Sequence, residues 1–162
     1  MRDEFLRPTI KIFALYKSLG ELAMAQLSDA DLHWQLNEDT NSIAMNVHHL
    51  WGNMRSRWID FLTSDGEKPW RERDAEFEPF AADRAAIMQR WEEGWACLFA
   101  ALEALEADDL HRTVYIRGEA HTVTEAIQRQ VAHYAYHVGQ MVQLGKMIRG
   151  GEWVSLSIPK KR

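Results

Sequence analysis

Seven histidines stand in this 162-residue chain, and the spacing of four of them implies chemistry. His133 and His137, in His-Tyr-Ala-Tyr-His, are four apart, so on a helix both imidazoles leave one face a turn apart and can reach a single metal ion. His48 and His49 are adjacent in a second helical stretch and offer another imidazole. The plainer reading is histidines at the edge of a core, and neighbours weigh between the two. At 100° per residue, His133 and His137 share a column with Ala126, Gln130, Gln140 and Leu144. That column carries no Lys or Glu, which suits a crevice better than a solvated face. The same wheel sets His48 at the edge of an apolar stripe and His49 beside Gly52 and Ser56, small residues that leave space for a ligand. Rotation mildly favours His48 and the open column favours His49.

Several reaction classes do not fit. A zinc-protease helix needs Glu after the first His, and Tyr134 follows His133. A di-iron bundle needs Glu-x-x-His, and no histidine here has Glu three residues before it. Dinucleotide, P-loop and serine-hydrolase signatures are also missing from the sequence. Cys97, in Trp-Ala-Cys-Leu, reads as a core thiol.

Positioning these residues calls for long helices, and apolar periodicity predicts four. The first spans 8–28 on Ile12, Leu15, Leu19, Leu22 and Leu27, with Pro8 in a first turn that tolerates proline. The second spans 42–62 on Val47, Leu50, Met54, Trp58 and Phe61, with Thr40, Asn41 and Ser42 as candidate N-caps. The third spans 81–106 on Ile87, Trp91, Trp95, Leu98 and Leu102, with Asp83 near its start. The fourth spans 123–149, opened by the capping-box pattern Thr122-Val-Thr-Glu125 and stopped by Gly150-Gly151. Thr113–Ile116 and Ala120–Val123, flanking Arg117-Gly118, predict a small hairpin. The charged segment 63–80 is too long for a simple connection, and Trp70, Phe77 and Phe80 suggest that it packs. An all-α four-helix bundle is the economical arrangement, as one domain over 1–162 with tails at 1–7 and 155–162.

Composition narrows the function classes. Nineteen basic and 24 acidic residues give a net charge of −5, against a nucleic-acid partner. With 46% apolar and 27% charged residues the chain is ordinarily globular, and its single cysteine excludes a disulfide scaffold and suits a reducing compartment. No stretch reads as a signal peptide or membrane helix, so the expected setting is cytoplasmic, with no membrane partner.

His49-Leu50 six residues after Ile43, followed by His133, His137 and Gln140 in the pattern H-x-x-x-H-x-x-Q, resembles the DinB-like superfamily of bacterial metal-binding four-helix bundles. More narrowly, VHHLWGNMRSRWIDFLTSDGEKPWRERDAEFE and HYAYHVGQMVQLGKMIRGGEWVSLSIPK resemble a bacterial subgroup with no assigned reaction. The resemblance implies an up-down-down-up bundle holding a divalent transition metal through His49, His133 and His137, and it selects His49 over His48. Many relatives carry an Asp shortly after the helix-two histidine, where this chain has Gly52 and Asn53. Relatives include transferases joining low-molecular-weight thiols to electrophiles, and dimers are frequent among them.

Three neutral imidazoles with an open position suit a catalytic site. Zn and Ni come first as the ion, with Fe compatible. Gln140 could orient a ligand. Arg71 and Arg73 could grip a carboxylate or phosphate, although a surface ion pair with Glu72, Asp74 or Glu76 is their commoner fate. Trp51, Trp58 and Trp70 suit core or lid packing. Two readings follow: a metal-dependent transferase or hydrolase acting on a small thiol or electrophile, or a non-catalytic metal-containing dimeric binding or stress-response module. Seven tryptophans on a short acidic chain point to a homodimer in either case.

Overall fold

The computed structural model describes residues 2–159. These are mostly helical: α1 (Arg2–Met24), α2 (Asp29–Leu32), α3 (Ile43–Trp58), α4 (Arg84–Glu103) and α5 (Val123–Arg149), with three short 3-10 turns and one two-stranded sheet. Helix α3 packs on α4 and on α5, and α1 packs on α5 and on α4, so each long helix meets two others. Phe13, Trp91, Trp95 and Tyr134 lie buried among them. Inside this core Trp58 Nε1 donates to the Tyr134 hydroxyl at 3.0 Å, which donates to Asn53 Oδ1 at 3.0 Å. Among the described residues no helix is long and apolar enough to cross a membrane.

Local chemistry sets the helix ends. Thr122 and Glu125 form the expected capping box, and α5 runs over the predicted span until Gly150 takes φ 54°. Of the three candidate caps before α3, Ser42 serves, its hydroxyl accepting from Met45 N at 3.1 Å. Helix α3 stops at Trp58, four residues short of 62, and Asp60 adopts φ 51° just beyond. Asp83 caps α4, which is shorter at both ends than 81–106.

Helix α1 departs most from expectation. It starts at Arg2, not residue 8, so Pro8 lies inside it and residues 2–7 form no tail. Leu6 is buried in the core, and Arg2 donates from Nε to the Leu105 carbonyl at 2.5 Å and from Nη2 to the Glu103 carbonyl at 3.0 Å. This cation at the C-terminal end of α4 satisfies carbonyls that the helix leaves open. The helix ends at Met24 because Ser28 begins the unforeseen α2, with its own capping box to Asp31. At the other end, Ile158 is almost fully exposed, and residues 160–162 of the expected tail lie outside the described residues.

The hairpin forms as β1 (Thr113–Ile116) and β2 (Glu119–Thr122), paired antiparallel from Thr113↔Thr122 to Ile116↔Glu119. Arg117 and Gly118 take φ 57° and 76°, the left-handed pair that a two-residue hairpin turn requires. Segment 63–80 is packed, Phe80 against the core and Phe77 against the His49 ring. Trp70 is half exposed, whereas Lys68 and Glu76 are buried. Gly66 N donates to the Tyr115 carbonyl at 2.8 Å, and Lys68 N to Ser56 Oγ at 2.9 Å. A 3-10 turn over Asp74–Phe77 then lies against α3.

Candidate metal centre

Helix α3 contributes His49 to a cluster that α5 completes with His133 and His137. One nitrogen from each lies within 4.8 Å of the others, and this group could hold a metal ion. The remaining ring nitrogens are held from behind. His49 Nδ1 bonds Glu76 Oε2 at 2.8 Å, His137 Nδ1 bonds Asn46 Oδ1 at 2.9 Å, and His133 Nδ1 bonds Gln130 Oε1 at 3.3 Å. An ionised carboxylate or an amide oxygen only accepts, so each Nδ1 carries a proton, and a neutral ring is left with its lone pair on Nε2. Outer partners of this kind fix tautomer and ring orientation in metal-binding histidines.

The electrostatics agree. Burial, with the neighbouring His137 and His49, lowers His133 to about 3. Burial and His49 lower His137 to about 4. Both are therefore neutral at pH 7. His49 Nε2 and His133 Nε2 nevertheless face each other at 3.2 Å. With both rings protonated at Nδ1 alone, two lone pairs meet there and a cation between them would accept both, so the donor set fits a transition-metal ion.

Glu76 is the buried support. Arg71 grips it from Nε to Oε1 at 2.7 Å and from Nη2 to Oε2 at 2.8 Å. Burial raises the Glu76 carboxyl, but the bonds from Arg71 and His49 outweigh it and hold the group ionised below its ordinary range. The approach depends on Gly52, since a Cβ there would lie 2.1 Å from Glu76 Oε1.

His48 lies outside the cluster, half-buried against the rings of Phe80 and Trp51 at 4.7 and 5.8 Å. The space expected beside Gly52 and Ser56 is not open to a ligand. Glu76 fills it at Gly52, and Gly66 and Lys68 bond to Ser56. Arg71 pairs with Glu76, one of the partners expected, but as a buried pair instead of a surface one. Arg73 pairs with Asp74 at 3.4 Å and lies over Phe77. Trp51 donates to Glu93 at 3.0 Å between Arg55 and Arg90, and burial pushes the Cys97 thiol up.

The histidines open on a cavity of about 390 Å³ whose wall includes Gln140, Arg57, Arg71, Arg73, Arg117 and Arg129. Sequence reasoning missed Glu76, Asn46 and Arg57. Asn46 had a readable signal, an amide on the same helical face as His49 and Asn53. Glu76 had none, being 27 residues from His49 in an irregular segment.

Helices meeting around three imidazoles, two buried and one half-buried, define this as a helical protein with a histidine-rich centre suited to a metal ion. Residues 1–162 match the model of a family described as "Protein of unknown function (DUF1572)", and the chain belongs to that family. No curated protein and no solved structure matches it.

Proposed function

We propose that this is a DinB-like metal-binding protein, its four long helices forming the bundle of that superfamily, and that it acts as a metal-dependent transferase or hydrolase on a small thiol or electrophile. The observation that carries the reading is the convergence of His49, His133 and His137 at a cavity wall, with every Nδ1 held from behind. When bound, a divalent transition metal, Zn or Ni first and Fe compatible, supplies Lewis acidity that favours the thiolate over the thiol or lowers the pKa of water to about 7. The chain's own residues do the rest. Glu76, Asn46 and Gln130 orient the imidazoles, Arg71 keeps Glu76 ionised, and Gln140 reaches the substrate space from one turn beyond His137.

A homodimer fits this reading and also the non-catalytic binding module. Ile12, Leu15 and Leu22 are exposed at helical spacing along α1, an apolar stripe that a second copy would cover. Their exposure supports an assembly near twice 18.8 kDa by light scattering. Cobalt substitution separates the two functional readings. Low-molecular-weight thiols should perturb the spectrum of the cobalt protein if a coordination position is open to substrate, and a spectrum indifferent to thiols would favour the non-catalytic module.

A further inference from the structure

Arg57 is 3% exposed, and its Nε and Nη1 are sealed from solvent without a hydrogen-bond partner. Among the described residues no carboxylate pairs with it, although Arg57 lines the cavity beside the three histidines. An unpaired buried cation is strongly destabilising, because desolvation is uncompensated. Nearby acids are committed elsewhere. Asp65 accepts the backbone N–H groups of Glu67, Arg117 and Gly118 at 2.7, 2.9 and 2.8 Å. Glu67 bonds Arg117 and Arg71, and Glu76 bonds Arg71 and His49. Arg129, also on the wall, likewise lacks a carboxylate partner among the described residues. Nη1 is turned toward Gly66, where a Cβ would sit 2.3 Å from it, so Nη2 is the nitrogen left for an anion in the cavity.

We infer that Arg57, assisted by Arg129 and Arg117 at the rim, forms an oxyanion subsite that takes a carboxylate or phosphate group of the substrate. An anion supplies the countercharge that Arg57 lacks, whereas a cationic or wholly apolar ligand leaves it uncompensated. The inference rests on the proposed function only in placing the substrate's reacting group at the three histidines; the subsite itself needs no metal.

The test uses the purified full chain, stripped with a chelator and kept in an anion-poor buffer, with inorganic phosphate and acetate titrated separately against thermal unfolding. At ten times its dissociation constant, a bound oxyanion should raise the melting temperature by about 4 °C. R57M should be more stable than wild type without added anion, because its unpaired charge is gone, and should lose the anion response. R129Q, at an exposed position that does not threaten folding, should weaken the response several-fold. A response to phosphate, to acetate or to both supports the subsite and names its preferred oxyanion. Equal shifts in wild type and both variants would reflect general salting and overturn the inference, as would no shift in wild type. Since the metal is absent throughout, failure here leaves the three-histidine proposal standing, and failure of metal binding leaves this result untouched.

Discussion

At the scale of single residues, the protein keeps imidazoles neutral where their lone pairs converge. His133 at about 3 and His137 at about 4 lie below the roughly 6.5 of an unfolded chain, chiefly through burial. Unfolding therefore takes up protons as pH falls below about 6.5. The stability contributed by the neutral pair is complete above that pH and is lost progressively toward the folded values. In the metal-free protein the slope should reach about 2.7 kcal/mol per pH unit with both groups titrating, to order of magnitude. Denaturant midpoints between pH 7.5 and 5.0 would measure it, and His133→Ala should remove about half. A midpoint independent of pH over this range would mean that these imidazoles are not held neutral by the fold. The choice between His48 and His49 belongs to this scale too. Helix rotation estimated from the apolar stripe mildly favoured His48, because the wheel knows nothing of the neighbours that settle rotation. Packing of α3 on both α4 and α5 sets His49 against His133 and His137 and leaves His48 against Phe80.

At the scale of elements, the site depends on how segment 63–80 docks on α3. Gly52 is the contact point, since any Cβ there collides with the Glu76 carboxylate. Gly52→Ala should displace Glu76 from both Arg71 and His49, at a cost of about 1–3 kcal/mol from overpacking alone. Losing the partner of His49 Nδ1 should also weaken metal affinity by about 10–100-fold. Urea unfolding together with competition against a metal indicator would check both. Unchanged metal affinity in a folded variant would show that Glu76 does not orient His49.

What could be read in advance follows the range of the interactions. Helix α5 was legible to the residue because its capping box, stripe and Gly stop are local signals. The hairpin was legible within one residue because Arg117-Gly118 carries the turn geometry. The start of α1 was not, since Arg2 is anchored on the end of α4 a hundred residues away. Glu76 and Arg71 looked like surface charges because nothing in a charged run announces that two of its members meet buried beneath a helix.

At the scale of the whole molecule, the centre is a small part of a large apolar core. A chain of this length buries roughly 68–70% of its unfolded surface and should fold without an ion, unlike small zinc domains. A chelator is therefore expected to leave the far-ultraviolet helical signal intact. It should lower the melting temperature by an amount that grows with the free metal concentration of the reference sample. Collapse of the helical signal on chelation at 25 °C would instead mark a structural ion and favour the non-catalytic module.

Metal stoichiometry decides most directly whether the three imidazoles are a metal site. The untagged protein would be equilibrated with Zn or Ni, freed of excess and analysed for bound ion, beside His48→Ala, His49→Ala and the triple His49→Ala, His133→Ala, His137→Ala variant. The expected result is one ion per chain in wild type and His48→Ala, with weakened retention in His49→Ala and none in the triple variant. An ion retained at wild-type stoichiometry by the triple variant, or no ion bound by wild type, would contradict the assignment of His49, His133 and His137 as its ligands.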